Sequence, residues 1–455
     1  MAVSPRKEGQ LAVDRRFSPA TRVFQQPVHH FLQRQGVGAV VLFIAAILAL
    51  IWANSRWAFL YHDLAHAYLD IAIGPIKVHH SILHWINDGL MTIFFFLVGM
   101  EIKYEVLHGH LSSVKKAALP AVAALGGMVV PALLYAVFNF NTPSAHGWGI
   151  PMATDIAFAV GVLALLPGIS DELRVFLLAL AIVDDIGAIL VIAIFYSEGV
   201  DTSALVVAAA ILVVIMLAQW ALPRFGPFQI ILAFLFWTAV LASGIHATIA
   251  GVILAFTVSS KSRFNLQEFD EEASHILEEF KQAVHDGDKG KADGLLGALE
   301  TLTVHTDRPI DRVTRNVLPW VTLVILPLFA LANSGVTFTI SSVLANVRSP
   351  IFWGIAAGLL IGKPIGIAVF SWIAVKLRLA QFPEGATLRQ IIALGALGGI
   401  GFTVAIFIAN LAFSDPAEVE AGKVAILIAS ASAGIFGYLL LRLSTSHPES
   451  EAVQS

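Results

Sequence analysis

The sequence predicts an all-α polytopic membrane protein, and its composition and charge placement are the observations behind this prediction. Of the 455 residues, 57% are hydrophobic and 13% are charged, whereas soluble domains carry about 25% charged residues. The first 35 residues, the stretch 259–315 and the last 14 residues hold 31 of the 60 charged side chains. The rest of the chain is therefore apolar enough to lie within a bilayer.

Apolar runs of sufficient length predict twelve transmembrane helices. Ser243 and Gly244 are the natural break within 225–260, a run that contains no Asp, Glu, Lys or Arg. The predicted spans lie near 36–54, 82–106, 117–138, 146–166, 174–198, 203–222, 227–242, 244–259, 316–336, 351–375, 389–413 and 421–442.

The distribution of Lys and Arg predicts the orientation, because cytoplasmic loops are enriched in both. Residues 1–35 contain six of them and 259–315 contains eight, whereas the loops near 139–146 and 199–202 contain none. The first 35 residues lack the apolar region of a signal peptide, which favours a cytoplasmic tail. With an even number of spans, residues 443–455 return to the cytoplasm.

The membrane domain is thus predicted in two parts, 36–258 and 316–442, separated by a charged cytoplasmic insertion at 259–315. The insertion holds twelve acidic and eight basic residues, and its apolar residues recur at helical spacing, which predicts one or two amphipathic helices. It is either a regulatory or assembly element or a solvated spacer. The spaced apolar residues are Phe269, Ile276, Leu277, Phe280 and Val284.

Two adjacent aspartates, Asp184 and Asp185, lie in the middle of the apolar segment 174–198. Asp184 is roughly 15 Å from one end of that helix and 20 Å from the other, at about 1.5 Å per residue. A carboxylate near the bilayer midplane costs at least about 2.5 kcal/mol, so a proton, a cation or a basic partner is needed. The alternative is a pair of short soluble helices joined by a polar turn.

Glycine and proline interrupt two of the predicted spans at matching positions in the two halves. One interruption is GWGIPMATD at 147–155 and the other is GALGGIGFT at 395–403. Paired unwound helices in inverted-topology repeats place an ion site near the midplane. The sequence therefore predicts inverted repeats with two discontinuous crossing helices, and ordinary kinked spans are the alternative.

Three further polar residues, Asp155, Lys363 and Thr154, belong to the predicted site. Asp155 directly follows the first break, where a helix N-terminus stabilises a carboxylate. Lys363 is about 16 Å deep in its span, where it must lose its proton or find a carboxylate partner unless it extends to the interface. The candidate partners are Asp155, Asp184 and Asp185. Together with Thr154, Asp184 and Asp185, these groups form a site where a sodium ion and protons compete for the same oxygens.

Glu101 and Glu105 are one helical turn apart, and such like charges raise the pKa of one carboxyl group. They are either an entrance funnel or pH sensor, or simply a solvated helix end. His246 can titrate near neutrality, although its position beside an outer helix end favours a polar interface histidine.

Seven motifs, in order, resemble the NhaA-type sodium/proton antiporters of bacteria. The resemblance covers roughly 30–258 and 315–442, and the ordered set is more specific than any single motif. The motifs are WINDGLMTIFFFLVGMEIKYE, GIPMATDIAFAVGVLALL, ALAIVDDIGAI, HATIAGV, LPLFALANSGV, IGKPIGI and GGIGFTVAIFIANLAF.

The resemblance implies a homodimer in the bacterial inner membrane that exchanges cytoplasmic sodium or lithium for external protons. Exchange would be electrogenic and activated at alkaline pH. The implied roles are Asp184 as main cation ligand with Asp185 beside it, Thr154 and Asp155 at the first crossing, and Lys363 at the second; Glu101, Glu105 and His246 match residues of the pH response. Tyr104 replaces an expected basic residue, which thins the network of the pH response, and the long insertion replaces a short loop, so the resemblance does not define the pH profile of this chain.

Other functions fit the sequence less well. An intramembrane aspartyl protease needs aspartates on facing helices, whereas this pair is adjacent and about 100° apart on one helix. A sodium-coupled solute symporter with broken helices is the main alternative. The absence of cysteine excludes disulfides and thiolate metal sites. We expect no enzymatic activity, cofactor, organic substrate or nucleic-acid partner, and lipid is the expected surrounding.

Overall fold

The computed structural model describes residues 36–445 except 74–75, 167, 198, 222–226, 263 and 338. The predicted N-terminal tail, residues 1–35, lies outside the described residues, as do residues 446–455 of the predicted C-terminal tail.

The described chain is mostly helical, as its apolar periodicity predicts. Its α-helices, in chain order, are α1 (Gly36–Ala53), α2 (Ala58–His66), α3 (Met91–His108), α4 (Val114–Phe138), α5 (Ile156–Ala164), α6 (Asp171–Phe195), α7 (Thr202–Ala221), α8 (Pro227–Ala242), α9 (Thr248–Thr257), α10 (Leu266–His285), α11 (Lys289–Thr306), α12 (Pro309–Trp320), α13 (Leu326–Asn333), α14 (Ile340–Arg348), α15 (Pro350–Ala357), α16 (Lys363–Lys376), α17 (Leu388–Gly398), α18 (Phe402–Ala412) and α19 (Pro416–Thr445).

Short segments of other helical geometry join several of these helices into longer rods. A 3₁₀-helix precedes α5, and π-helical turns lead into α3, α13 and α16. Their bounds are Pro143–Met152 for the 3₁₀-helix, then Trp85–Leu90 (after a single α-turn at Ile82–His84), Val321–Ile325 and Gly358–Gly362.

Seven helical segments of the described chain are long and apolar enough to cross a membrane, or up to nine if each of two bent pairs forms one span. One bent pair is α1 with α2, at 112°, and the other is α17 with α18, at 50°. Helices α8 and α9 are apolar but shorter. These segments are those of a multi-pass membrane protein, and the predicted total of twelve exceeds their number.

A two-stranded antiparallel hairpin follows α2, which the all-α prediction did not include. Strands β1 (Tyr68–Ile73) and β2 (Ile76–Ser81) pair with Tyr68 opposite Ser81 and Ile73 opposite Ile76. The strand sequences YLDIAI and IKVHHS contain β-branched residues in partial alternation, which is a strand signal. The signal is short and lies between longer apolar runs, so helical periodicity masked it.

The predicted insertion contains two helices, α10 and α11, which pack on each other. Their contact buries Ala273, Ile276 and Leu302. A capping box starts α10, because the Asn265 side chain accepts from the backbone of Glu268 and the Glu268 side chain accepts from the backbone of Asn265. The prediction of amphipathic helices in this stretch is confirmed.

Helices α4 and α16 cross in backbone contact. A Cβ atom placed on Gly366 would lie 2.1 Å from the carbonyl oxygen of Gly126, and one on Gly126 would lie 2.3 Å from the carbonyl oxygen of Gly366. Both positions therefore require glycine. This crossing fixes the start of α16, where Lys363 lies, against α4.

Candidate functional site

The first broken element interrupts its predicted span just before α5. The chain is 3₁₀-helical to Met152 and non-helical through Thr154, and α5 then begins at Ile156. The Asp155 side chain caps α5, because its Oδ1 accepts a hydrogen bond from the Phe158 N–H at 3.1 Å. The predicted first break is thus confirmed.

The second broken element is α17 followed by α18, with non-helical residues 399–401 between them. Ser430 of α19 satisfies the start of α18, since its Oγ accepts from the N–H groups of Gly401 and Phe402 at 3.2 and 3.1 Å. These backbone groups have no partner within α18 itself. A side chain of α19 therefore stabilises the non-helical backbone at this break.

The two breaks lie against each other and exchange hydrogen bonds. Thr154 donates from Oγ1 to the Gly398 carbonyl at 2.8 Å, and the Asp155 N–H donates to the Ile400 carbonyl at 2.6 Å. In return, Asp155 Oδ2 accepts from the Thr403 N–H at 3.1 Å and from its hydroxyl. A buried carboxylate thus faces the positive end of α18 as well as capping α5.

A buried ion pair lies beside this crossing. The Lys363 ammonium pairs with Asp184 Oδ2 and also donates to Thr154 Oγ1 at 2.8 Å. Lys363 is 0% exposed and Asp184 is 2% exposed. Lys363 therefore does not extend to an interface, and its partner is Asp184 rather than Asp155. Sequence reasoning named all three aspartates as candidate partners.

The second oxygen of Asp184 is available for another ligand. Asp184 Oδ1 is buried and accepts no hydrogen bond within the described part of the chain. Asp185, 4% exposed, is buried next to it, and the negative charges of Asp184 and Glu101 both act on it. Oxygen ligands of this kind suit a hard cation such as sodium. Among the described residues, no cluster of three or more His, Asp or Glu side chains could hold a tightly bound metal ion.

Two glutamates of α3, Glu101 and Glu105, lie next to this site. Glu101 is near enough to Glu105, one turn along α3, and to Asp185 of α6 for its charge to repel theirs. Glu105 accepts from the His110 N–H at 2.7 Å. Between them, Lys103 donates to the Phe256 carbonyl at 2.7 Å and so caps the C-terminus of α9.

His246 lies elsewhere and reaches the first broken element indirectly. Its Nε2 contacts the carbonyl oxygen of Tyr196, and the Tyr196 hydroxyl donates to the His146 carbonyl at 2.7 Å. The same hydroxyl accepts from the Gly149 N–H at 3.3 Å. The structure therefore does not bring His246 together with Glu101 and Glu105, but it connects the histidine to the 3₁₀-helix before Thr154.

Several residues of this region were not identified from the sequence. Thr403 belongs to the recognised GGIGFT motif, so its position beside the break was a usable signal. Ser430 gave no signal, because one serine in an apolar helix is common. A chain of amides was also missed: Asn410 donates to Asn333 at 2.8 Å, and Asn333 donates to Asn87 at 2.7 Å.

Comparison with known proteins assigns the chain to a family. The family model described as Na+/H+ antiporter 1 matches residues 29–441. Proteins named Na(+)/H(+) antiporter NhaA are similar over most of their length. The one from Wolinella succinogenes is 44% identical over 424 residues, covering 91% of this chain and 92% of the relative. That from Oleidesulfovibrio alaskensis is 42% identical over 426 residues, covering 92% and 94%, and that from Escherichia coli O1:K1 is 43% identical over 425 residues, covering 91% and 98%. The matched range spans the residues of both broken elements and of the buried ion pair, and the chain belongs to the Na+/H+ antiporter 1 family.

Proposed function

We propose that this protein is an electrogenic, pH-regulated antiporter that extrudes cytoplasmic sodium or lithium in exchange for external protons by alternating access. The observation that carries the proposal is the fully buried Lys363–Asp184 pair beside two crossed broken helices. An ion pair taken out of water is a weak source of stability. Its presence beside a carboxylate oxygen that has no partner among the described residues is explained by cation exchange.

The chemistry follows from competition for Asp184. A sodium ion that reaches Asp184 and Asp185 replaces the Lys363 ammonium as the counter-charge. The ammonium then lies in a dry site without its anion, which favours loss of its proton. Loss of a second proton, from Asp185, makes the exchange electrogenic. Thr154 accepts from Lys363 and donates to the Gly398 carbonyl, which connects the lysine to the crossing. The negative charge of Asp155 compensates the partial positive charge at the helix N-termini.

The proposed topology keeps twelve spans arranged as inverted repeats, with both termini in the cytoplasm of a bacterial inner membrane. One broken element in each half supports the repeats, and the Lys and Arg distribution supports the orientation. The proposed boundaries are 1–35 and 443–455 for the tails, 259–315 for the insertion, and 36–258 with 316–442 for the membrane domain.

For pH regulation we propose Glu101 and Glu105, with His246 acting separately. Glu101 supports this assignment because its charge acts on both Glu105 and Asp185, so its protonation state reaches the site. The connection of His246 to the first broken element through Tyr196 supports a second route. The homodimer is proposed from the family resemblance.

Proton release from everted membrane vesicles tests the function. Addition of sodium, with no organic solute present, should release protons that a pH-sensitive dye reports. A sodium-coupled symporter would instead show no sodium-driven proton movement and would need a solute. The relatives described above are named antiporters, which does not favour the symporter. Vesicles containing Asp184→Asn provide the matched control.

A further inference from the structure

A groove of about 1270 Å³ lies outside the exchange site, between α3, α7, α8, α9, α11 and α12. It extends from Leu69 of the β-hairpin, past Phe96 and Trp237, to Glu300 of the insertion. Its two ends therefore lie at opposite ends of the helices that form it. No step of the proposed exchange uses it.

The walls of the groove differ along its length. Its middle is apolar, formed by side chains such as Phe96, Ile215 and Leu254. At the end covered by the insertion, Glu300 of α11 and Arg312 of α12 both line it. An apolar channel with charged groups at one end is complementary to an amphiphilic molecule.

The two charged groups at this end form no ion pair within the described part of the chain. Arg312 donates one hydrogen bond, from Nη1 to the Val304 carbonyl at 3.0 Å, and a guanidinium has five N–H groups. Neither Arg312 nor Glu300 forms an ion pair within the described ranges. A cation and an anion thus face the same mouth without neutralising each other.

We propose that this groove binds a phospholipid whose headgroup carries both a phosphate and a primary ammonium, as in phosphatidylethanolamine. The acyl chains occupy the apolar middle. The phosphate accepts hydrogen bonds from Arg312, whose planar donors match phosphate oxygens. The ammonium donates to Glu300, which a quaternary choline headgroup cannot do. A headgroup with negative charge alone leaves Glu300 unsatisfied and is repelled by it.

Glu300 belongs to α11 of the insertion, so this helix takes part in headgroup recognition. The insertion supplies the residue that distinguishes one headgroup from another, while α12 supplies the residue that binds any phosphate. Lipid recognition then depends on a part of the chain that contributes nothing to the buried exchange site.

Lipid binding to the full-length purified protein tests the proposal. Short-chain phosphatidylethanolamine and phosphatidylcholine are titrated separately, and bound lipid is counted by native mass spectrometry. We expect wild type to bind phosphatidylethanolamine about tenfold more tightly, as one charge-assisted hydrogen bond predicts. Glu300→Gln should remove this preference and leave phosphatidylcholine binding unchanged. Arg312→Gln should weaken both lipids.

Two further variants control for misfolding and for general charge effects. Asp293→Asn removes an acidic residue of the same helix that does not line the groove, and it should keep the preference. Ile215→Trp fills the apolar middle and should reduce binding of both lipids. For Glu300→Gln and Asp293→Asn the readout is the ratio of the two lipids on one variant, which a loss of stability alone does not alter. For Arg312→Gln and Ile215→Trp, an unfolding temperature equal to that of wild type is required as well.

Three results would overturn the proposal. The first is equal binding of the two lipids by wild type. The second is tighter binding of phosphatidylglycerol than of phosphatidylethanolamine, which would make the site one for anionic lipid. The third is a groove closed by a second copy of the chain, seen as cross-linking between cysteines introduced at its rim with no lipid retained.

Discussion

Replacement of Lys363 by alanine tests the buried ion pair most directly. Asp184 would lose its charge partner while 2% exposed, and its Oδ1 already has no partner in the described chain. Removing one member of a buried pair costs about 3–5 kcal/mol. Thr154 keeps its hydrogen bond to Gly398, so the crossing itself is retained. Lys363→Ala should therefore lower both the unfolding free energy and the rate of transport.

The destabilisation should depend on pH, with a definite sign. Protonation of Asp184 removes the unpaired charge, so the deficit of Lys363→Ala should be largest in alkali and should shrink as the pH falls. The change in Tm per kcal/mol of unfolding free energy becomes smaller as chains become longer. For this chain we therefore expect the loss of unfolding free energy at pH 8.5 to lower Tm by ~5 °C. At pH 5 we expect less than half of that decrease.

Fluorescence-monitored unfolding in detergent at the two pH values measures this effect. Lys363→Arg keeps the charge and should retain more of the stability. Lys376→Ala is the matched control, because this lysine is at the exposed end of the same helix and should change Tm little. Equal Tm values for wild type and Lys363→Ala, or a deficit independent of pH, would refute the ion pair as the stabilising contact.

Three other substitutions probe the remainder of the site and the insertion. Asp184→Asn keeps the size and one carbonyl oxygen but loses the titrating charge, so it should abolish sodium-dependent proton release while the protein still reaches the membrane; near-normal release would remove Asp184 from the site. Thr403→Val deletes only the hydroxyl that donates to Asp155 and should cost about 1.5–3 kcal/mol, measured as a lower Tm; unchanged stability would show that the backbone N–H suffices. Replacement of residues 266–308 by a short polar linker should shift the pH midpoint and leave the maximal exchange rate unchanged; a folded variant inactive at every pH would make the insertion part of the transport machinery.

Much of the site was predictable because buried charge in an apolar segment needs compensation. That argument identified Asp184 and Lys363, whereas glycine and proline indicated the two breaks and Asp155 beside the first, and the structure brings all of them together. It left open which aspartate pairs with Lys363, because three carboxylates were at comparable depth. Only the packing of α16 against α4, and of α4 against α6, decides this.

Other features had weak signals or none in the sequence. The β-hairpin is short, and its partial alternation could not outweigh the helical periodicity around it. The amides Asn87, Asn333 and Asn410 are far apart in sequence, and no local pattern connects them. Their association depends on three-dimensional packing, which periodicity does not describe. The capping box at Asn265, by contrast, is local and readable from the sequence.

The contact between Gly126 and Gly366 limits how the exchange site can change its exposure. Neither backbone has room for a side chain, and the Lys363 stem lies beside Gly127, 3.7 Å from where a Cβ would be. Sliding of α4 along α16 would drive backbone atoms into each other. Helices α4 and α16 therefore move as one rigid unit, and Lys363 moves with them. Access to either side of the membrane must change at the borders of this unit, and distances measured across those borders, rather than within it, will report the transport cycle.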